Sequence, residues 1–244
     1  SVIKTATNTV VKTVLVGSVP RAVAVTPDGT KVYVVNNGSN NVSVFHRPGF
    51  TLVATIPVGR SPEGVAITPD GTQAYITNNS LDGTVSVINT ATNTVAGLPI
   101  PVGYFPYGVA VNPNGTQAYV TNGGDNTVSV IKTAKRAVVA TIPVGGGQPA
   151  GVAFTPDGTH AYVVSNYTSS NGPNVSVIAT ATNTVVATLA MNYPVAVAVS
   201  PNGQDVYVAK INSIETVRVI ATATNKKGAA IAVGSVPSGL AIGP

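Results

Sequence analysis

The phrase VAVTPDGTKVYVVN, residues 23–36, returns four more times along this 244-residue chain. It reads VAITPDGTQAYITN at 65–78, VAVNPNGTQAYVTN at 109–122, VAFTPDGTHAYVVS at 152–165 and VAVSPNGQDVYVAK at 197–210. The proline of its turn falls at Pro27, Pro69, Pro113, Pro156 and Pro201, and a partial copy, LAIGP, stops at Pro244. The steps are 42, 44, 43, 45 and 43 residues. A supersecondary unit that recurs at a fixed period buries its apolar face against its own copies, so the repeat outranks any domain count taken from length. A period near 43 fits a four-stranded propeller blade, and the repeats carry no helical periodicity.

Each unit resolves into four short strands, shown by GVAIT (64–68), QAYIT (73–77), TVSVI (84–88) and the stretch ending in LPIPVG (98–103). TPDGT joins the first two: Pro presets φ, Asp bonds its own backbone and Gly takes the left-handed position. TATNT, at 5–9, 90–94 and 180–184, joins the last two. There Asn takes the left-handed position and the Thr hydroxyls satisfy turn amides. The chain starts in a third strand and stops in a first strand, which gives six first, third and fourth strands but five second strands. We expect an all-β, six-bladed propeller over residues 1–244 as a single domain, its sixth blade closed by both ends and short of one hairpin arm because the chain is trimmed or incompletely determined. The alternative is a fragment of a seven-bladed ring.

Composition agrees with a sheet packed on both faces. Hydrophobic residues make up 44%, yet Phe is 4, Met 1 and Trp 0, so the apolar mass is aliphatic. Charged residues are only 9%, and the surface must be built from Asn, Thr, Ser, Gly and Pro, as is common in secreted and cell-surface proteins. Cys is 0, which rules out disulfides and thiolate metal sites. The net charge of +5 includes no like-charge run beyond Lys135–Arg136 and Lys226–Lys227, which argues against a nucleic-acid arm. No apolar run reaches the ~20 residues of a spanning helix. No signal peptide is visible at Ser1, so we expect a targeting segment to have been removed or never present.

The words YVTN (119–122), YITN (75–78) and YVVN (33–36), the PDG turns, TATNT, and TIPVG at 55–59 and 141–145 resemble the YVTN family of β-propeller repeats over essentially the whole chain. The resemblance implies the propeller fold and, since such proteins are often extracellular or surface-layer proteins, a secreted or cell-surface location. It says little about a ligand. Similar propellers include lactonases and streptogramin lyases, which hold a metal or catalytic His and acids at the channel mouth.

A residue present in every blade belongs to the frame. Tyr33, Tyr75, Tyr119, Tyr162 and Tyr207 are therefore expected to pack between blades with bonded hydroxyls. Asn36, Asn78 and Asn122, replaced by Ser165 and Lys210 in the last two copies, are expected to cap the turn that follows. Asp28, Asp70 and Asp157 alternate with Asn114 and Asn202, which marks a turn position and not a catalytic base.

Function is expected where the copies differ, on the face opposite the repeated turns. The resemblance makes the first strand innermost. The x of the motif Px(G/A) then rings the channel mouth with Arg21, Glu63, Tyr107, Ala150, Val195 and Ser238. Arg21 and Glu63 form an ion pair that is either a plain surface pair or a ligand-orienting one. Tyr104, Phe105 and Tyr107 are the one aromatic cluster, read either as a binding hot spot or as a plug in a blade seam. The loop 165–174, with Tyr167, is the longest between second and third strands and either overhangs the mouth or is a tolerated insertion. His46 and His160 lie on the repetitive face, and no His or carboxylate spacing suits a catalytic triad or a metal. Lys4, Arg47, Lys132, Lys135, Arg136, Lys226 and Lys227 gather at the repeated turns, as a solvated rim or a weak anion or cell-envelope contact.

These observations point to a non-enzymatic interaction or scaffold module. It would bind a protein, peptide or glycan through Arg21, Glu63, Tyr104, Phe105, Tyr107, Tyr167 and Ser238. No catalytic residue, metal or cofactor, no nucleic acid and no membrane span are expected, and a monomer is favoured. The alternatives are a lactonase- or lyase-type enzyme at the channel mouth and a structural unit of a longer surface protein.

Overall fold

Each repeat folds because its apolar residues alternate along strands too short to stand alone and its turns are preset by Pro, Asp, Gly and Asn. The computed structural model describes residues 1–167, 172–211 and 216–242, with Tyr167 described by its backbone alone. Blade 1 comprises Pro20–Val25, Lys31–Asn36, Asn41–His46 and Thr51–Pro57. Blade 2 comprises Pro62–Ile67, Gln73–Asn78, Thr84–Asn89 and a split fourth strand, Thr94–Val95 and Ile100–Pro101. Blade 3 comprises Pro106–Val111, Gln117–Asn122, Thr127–Lys132 and Ala137–Pro143. Blade 4 comprises Gly147–Phe154, His160–Tyr167, Asn174–Ala179 and Thr184–Ala190, and blade 5 comprises Pro194–Val199, Asp205–Lys210, Thr216–Ala221 and Lys226–Ala232. All five are antiparallel meanders. Blade 6 is the hairpin Val2–Lys4 with Thr9–Lys12.

Two expectations need correcting here. The fourth strand of blade 2 is not continuous: Gly97 is left-handed and Pro99 and Pro101 have no amide to give a ladder, so residues 96–99 loop out. The sixth first strand does not form either. Leu240–Ile242 carries no strand structure, because among the described residues no second strand pairs with it.

The core lies in the seams between blades. Tyr33, Val35, Val42 and Val44 of blade 1 pack on Ala74, Ile76 and Ile88 of blade 2. The same arrangement recurs between blades 2 and 3, 3 and 4, and 4 and 5. Each buried Val or Ile contributes ~1.5–3 kcal/mol, so the seams carry most of the apolar stabilisation.

The repeated tyrosines latch one blade to the next. The hydroxyls of Tyr33, Tyr119 and Tyr162 donate to Oδ1 of Asn93, Asn183 and Asn225, the asparagines of the TATNT turns (TATNK in blade 5) of the following blade, at 3.2, 2.5 and 2.7 Å. Those asparagines are left-handed, as the turn requires (φ 52–54°). In the turn of blade 3 Arg136 stands at this position, and Tyr75 bonds Gln73 of its own strand instead, at 3.0 Å. Tyr207, facing the two-stranded sixth blade, is only half-buried. The turn threonines mostly bond differently from expectation. Thr90, Thr133, Thr180 and Thr222 donate to the glycine carbonyl of their blade's PDG or PNG turn, while Thr92 pairs with Thr94 and Thr182 with Thr184.

The asparagines that end the second strands do not cap a turn. Asn36, Asn78 and Asn122 are fully buried and donate across the sheet to third-strand side chains, Ser43, Ser86 and Ser129, at 2.9, 3.0 and 2.9 Å. A glycine arriving from the preceding blade covers each one: a Cβ on Gly17, Gly59 or Gly103 would sit within 2.8 Å of Asn36, Asn78 or Asn122. Blade 5 drops the device, with Lys210 for the asparagine and Arg218 for the serine. Burial and the neighbouring Arg218 and Lys227 charges lower the Lys210 pKa.

Candidate functional site

The first strands line a central channel of about 460 Å³, and all six expected side-chain positions lie on it: Arg21, Glu63, Tyr107, Ala150, Val195 and Ser238. Placing them needs close backbone contact, which Gly64 and Gly108 permit. A Cβ on Gly108 would stand 2.2 Å from the Ala150 carbonyl of the next blade, and one on Gly64 would stand 2.7 Å from that of Tyr107. The threonine of the repeated YVTN phrase locks this approach. Thr77 Oγ1 accepts from Gly64 N–H at 2.8 Å and donates to the Tyr107 carbonyl at 2.7 Å. Thr121 accepts from Gly108 and donates to Ala150, both at 2.8 Å. Blades 1, 4 and 5 have Val35, Val164 and Ala209 at this place.

At the mouth Arg21 Nε stands 3.7 Å from Glu63 Oε1, with Arg21 half-exposed and Glu63 almost covered. Asn37 donates to the same oxygen at 3.0 Å. Burial raises the Glu63 carboxyl above its usual pKa and the Arg21 charge opposes it. Burial likewise raises the Tyr107 phenol, with Glu63 adding to the rise and Arg21 opposing.

A second ring surrounds the mouth, and nothing in the residue types announces it. The residue before each first-strand proline is left-handed in all six blades: Val19, Ser61, Phe105, Gln148, Tyr193 and Val236, with φ between 48 and 52°. Bulky and β-branched residues avoid this region. It is held here by main-chain bonds to the second-to-third-strand loops, such as Asn37 N–H to the Val19 carbonyl at 2.9 Å and Gly123 N–H to the Phe105 carbonyl at 2.9 Å. Side chains also take part: Asn40 and Asn126 accept from the Ser61 and Gln148 amides at 2.7 and 2.9 Å. The strain leaves Val19, Phe105, Tyr193 and Val236 substantially exposed around the opening.

The structure divides the aromatic cluster. Phe105 and Tyr107 wall a groove of about 680 Å³ that runs along the seam of blades 3 and 4, next to Asn79, Asn126, Gln148 and Asn166. Phe105 does not plug the seam, since it is 42% exposed. Tyr104 stands outside the groove, 56% exposed, with its amide bonded to Asp125 Oδ2 at 2.7 Å. The groove exists because its floor lacks side chains: Gly123, Gly124 and Gly147 lie there with Pro149 and Ala150. The words TNGGDN and PVGGGQP, the most glycine-rich among their counterparts, were the sequence signal for it. The Tyr167 side chain and residues 168–171 lie outside the described residues.

His46 and His160 lie on the repetitive face, His160 Nδ1 being 2.9 Å from Thr159 Oγ1. Several cations of that face tie blades together: Arg136 donates to the Ala96 carbonyl at 3.0 Å, and Lys31 Nζ to that of Thr90 at 2.5 Å. No helix among the described residues is long and apolar enough to cross a membrane.

Radial meanders around a channel lined by first strands define a six-bladed β-propeller. No protein-family model matches the chain, and no curated protein matches it. Among solved structures it is similar to Kuenenia stuttgartiensis hydrazine synthase, at 24% identity over 92% of this chain and 70% of that one, with a TM-score of 0.81. It is also similar to a functionally unknown protein from Desulfotomaculum acetoxidans, at 23% identity over 88% of this chain and 70% of that one, with a TM-score of 0.75. At such identities the likeness is one of fold.

Proposed function

We propose that this propeller is a non-enzymatic interaction module of the YVTN type, secreted or displayed at the cell surface, that binds its partner through the variable face. The observation that carries this reading is the convergence of Phe105 and Tyr107 with uncharged amide side chains on one groove opening from the channel mouth. Tyr107, Gln148 and Asn166 stand on strands, Asn79, Phe105 and Asn126 each directly adjoin a strand end, and the repeated turns take no part, which is how binding residues sit on a scaffold. The single ion pair at the mouth is self-compensating, with Asn37 completing it, and serves to shape the rim.

The test is adsorption of labelled protein to an isolated bacterial cell-envelope fraction. Tyr107→Ala and Phe105→Ala should each weaken adsorption about tenfold, as loss of an aromatic anchor does, with little change in Tm. Adsorption that is absent, or that no substitution on the variable face alters, would remove the assignment.

A further inference from the structure

The chemistry of the groove between blades 3 and 4 narrows the partner, on the footing that the variable face is a binding face. Its lining is Asn79, Phe105, Tyr107, Asn126, Gln148 and Asn166 above a floor of glycine, Pro149 and Ala150. Among the described residues no Lys, Arg, His, Asp or Glu lines it. An anionic or cationic ligand would leave water there without a compensating charge, which is unfavourable. The groove therefore suits a neutral ligand rich in hydrogen-bonding groups.

The floor also speaks against recognition of a peptide main chain. Adding a strand requires a free backbone edge. Here the edge is used: Gly123 N–H bonds the Phe105 carbonyl at 2.9 Å and Gly124 N–H bonds that of Tyr104 at 3.0 Å. Gly147 and Pro149 are paired with Tyr167 and Ser165 in the sheet of blade 4. What remains for a ligand is side-chain chemistry. An amide offers an acceptor and two donors on one planar group, a match for adjacent hydroxyls or an acetamido group. Two aromatic side chains give flat apolar walls for the C–H face of a pyranose ring.

The amides are also preset. Asn126 Oδ1 is taken by the Gln148 amide at 2.9 Å, which leaves its NH₂ as a donor. Asn79 spends a donor on the Pro106 carbonyl at 3.1 Å, which fixes the orientation of its side chain. Gln148 is held left-handed and exposed, and so is Phe105 across the groove. Gly124 is needed for this pose, because a Cβ there would press on the Phe105 ring at 2.9 Å.

We infer that this groove binds an uncharged polysaccharide, stacking it on Phe105 and Tyr107 and reading its hydroxyl or acetamido groups with Asn79, Asn126, Gln148 and Asn166. A volume of about 680 Å³ is of the size of small-ligand sites and takes about two or three sugar rings.

The experiment uses the whole chain. Titration calorimetry is run with neutral tetramers of β-linked N-acetylglucosamine, β-linked glucose and α-linked mannose, and with an acidic tetramer of galacturonate. At least one neutral tetramer should bind and the acidic one should not. Tyr107→Ala and Gln148→Ala should each weaken binding about tenfold at unchanged Tm, and Gly124→Ala should weaken it by moving Phe105. The envelope fraction provides the second arm: the neutral tetramer that binds in calorimetry should displace the adsorbed protein, and protease treatment of the envelope should not release it. Adsorption that resists every neutral tetramer and is lost to protease overturns the sugar assignment while leaving the interaction reading intact. Failure of every neutral tetramer, or binding indifferent to Tyr107→Ala and Gln148→Ala, also overturns it. Absence of adsorption together with failure of every neutral tetramer sinks both readings.

Discussion

Asp28 shows how much one repeated residue does for a turn. Its carboxylate accepts from Thr26 Oγ1 at 2.5 Å, from Thr30 N–H at 3.0 Å and from Thr30 Oγ1 at 2.9 Å. These bonds, led by that of Thr26, hold its pKa at about 2, and equivalent bonds lower Asp70 and Asp157. In each case the folded value lies below the unfolded one, so the unfolded chain binds more protons in the acid range. The stabilisation is complete above the ordinary carboxylate pKa and fades as pH falls toward about 2 for Asp28. The triple variant Asp28→Asn, Asp70→Asn, Asp157→Asn should therefore show a flatter Tm profile between about pH 4 and pH 2. Its Tm at neutral pH should move little, because Asn114 holds the same turn through Thr116 N–H at 3.0 Å. An unchanged acid slope in thermal melts would dismiss the carboxylates as its source. The turn itself was readable from PDG and its PNG variants. The inward bonding of Asn78 and Asn122 was not, because the serine they meet is on another strand and the glycine covering them comes from another blade.

At the scale of the element, the strand joins its neighbours through Tyr and Thr. Tyr119 reaches Asn183 of the next blade, and burial pushes its phenol up to about 12. Tyr75 bonds within its own strand. Tyr119→Phe should cost about 1 kcal/mol, since it breaks a contact between blades and strips the asparagine of a donor. Tyr75→Phe should cost less, because its partner Gln73 sits in the same strand, half-buried and able to turn to water. Urea denaturation of the two variants checks this, and equal losses would deny the latch its role. The sequence made the tyrosines frame residues by their recurrence. It could not say that the TATNT asparagine was their partner, because the two are 60 or more residues apart, as Tyr33 and Asn93 are.

The whole molecule is a ring whose blades meet at glycine. Gly108→Ala would place a methyl group against the Ala150 carbonyl at 2.2 Å, a backbone atom that cannot step aside unless the seam opens. We expect a loss of several kcal/mol by the overpacking route, seen as a lowered denaturation midpoint, and weaker ligand binding because the groove shares this seam. Gly172→Ala, with nothing within 4 Å of the added carbon, is the comparison, though its φ of 67° adds backbone strain. If the two variants lose stability equally, close blade contact is not what Gly108 provides. Blade 5 shows the ring rule relaxed: with Lys210 and Arg218 in place of Asn and Ser, like charges replace a hydrogen bond.

By itself the sequence determined the blade and the turns, because each follows from periodicity or local φ preference acting over a few residues; six blades stood beside a seven-bladed alternative, and the ring of Arg21, Glu63 and Tyr107 was implied by the resemblance to propeller repeats. It also located Phe105 and Tyr107 as departures from the repeat. Only the tertiary structure decided that these two face Asn126, Gln148 and Asn166 across a floor of glycine, while Tyr104 stands aside. The same holds for the left-handed ring of Val19, Phe105 and Tyr193, whose backbone strain is held by main-chain bonds to the second-to-third-strand loops. The physical reason is one of range: strands and turns are fixed by contacts within a single repeat of about 43 residues, whereas a groove in a seam is made by side chains, or missing side chains, that only the packing of one blade on the next brings together.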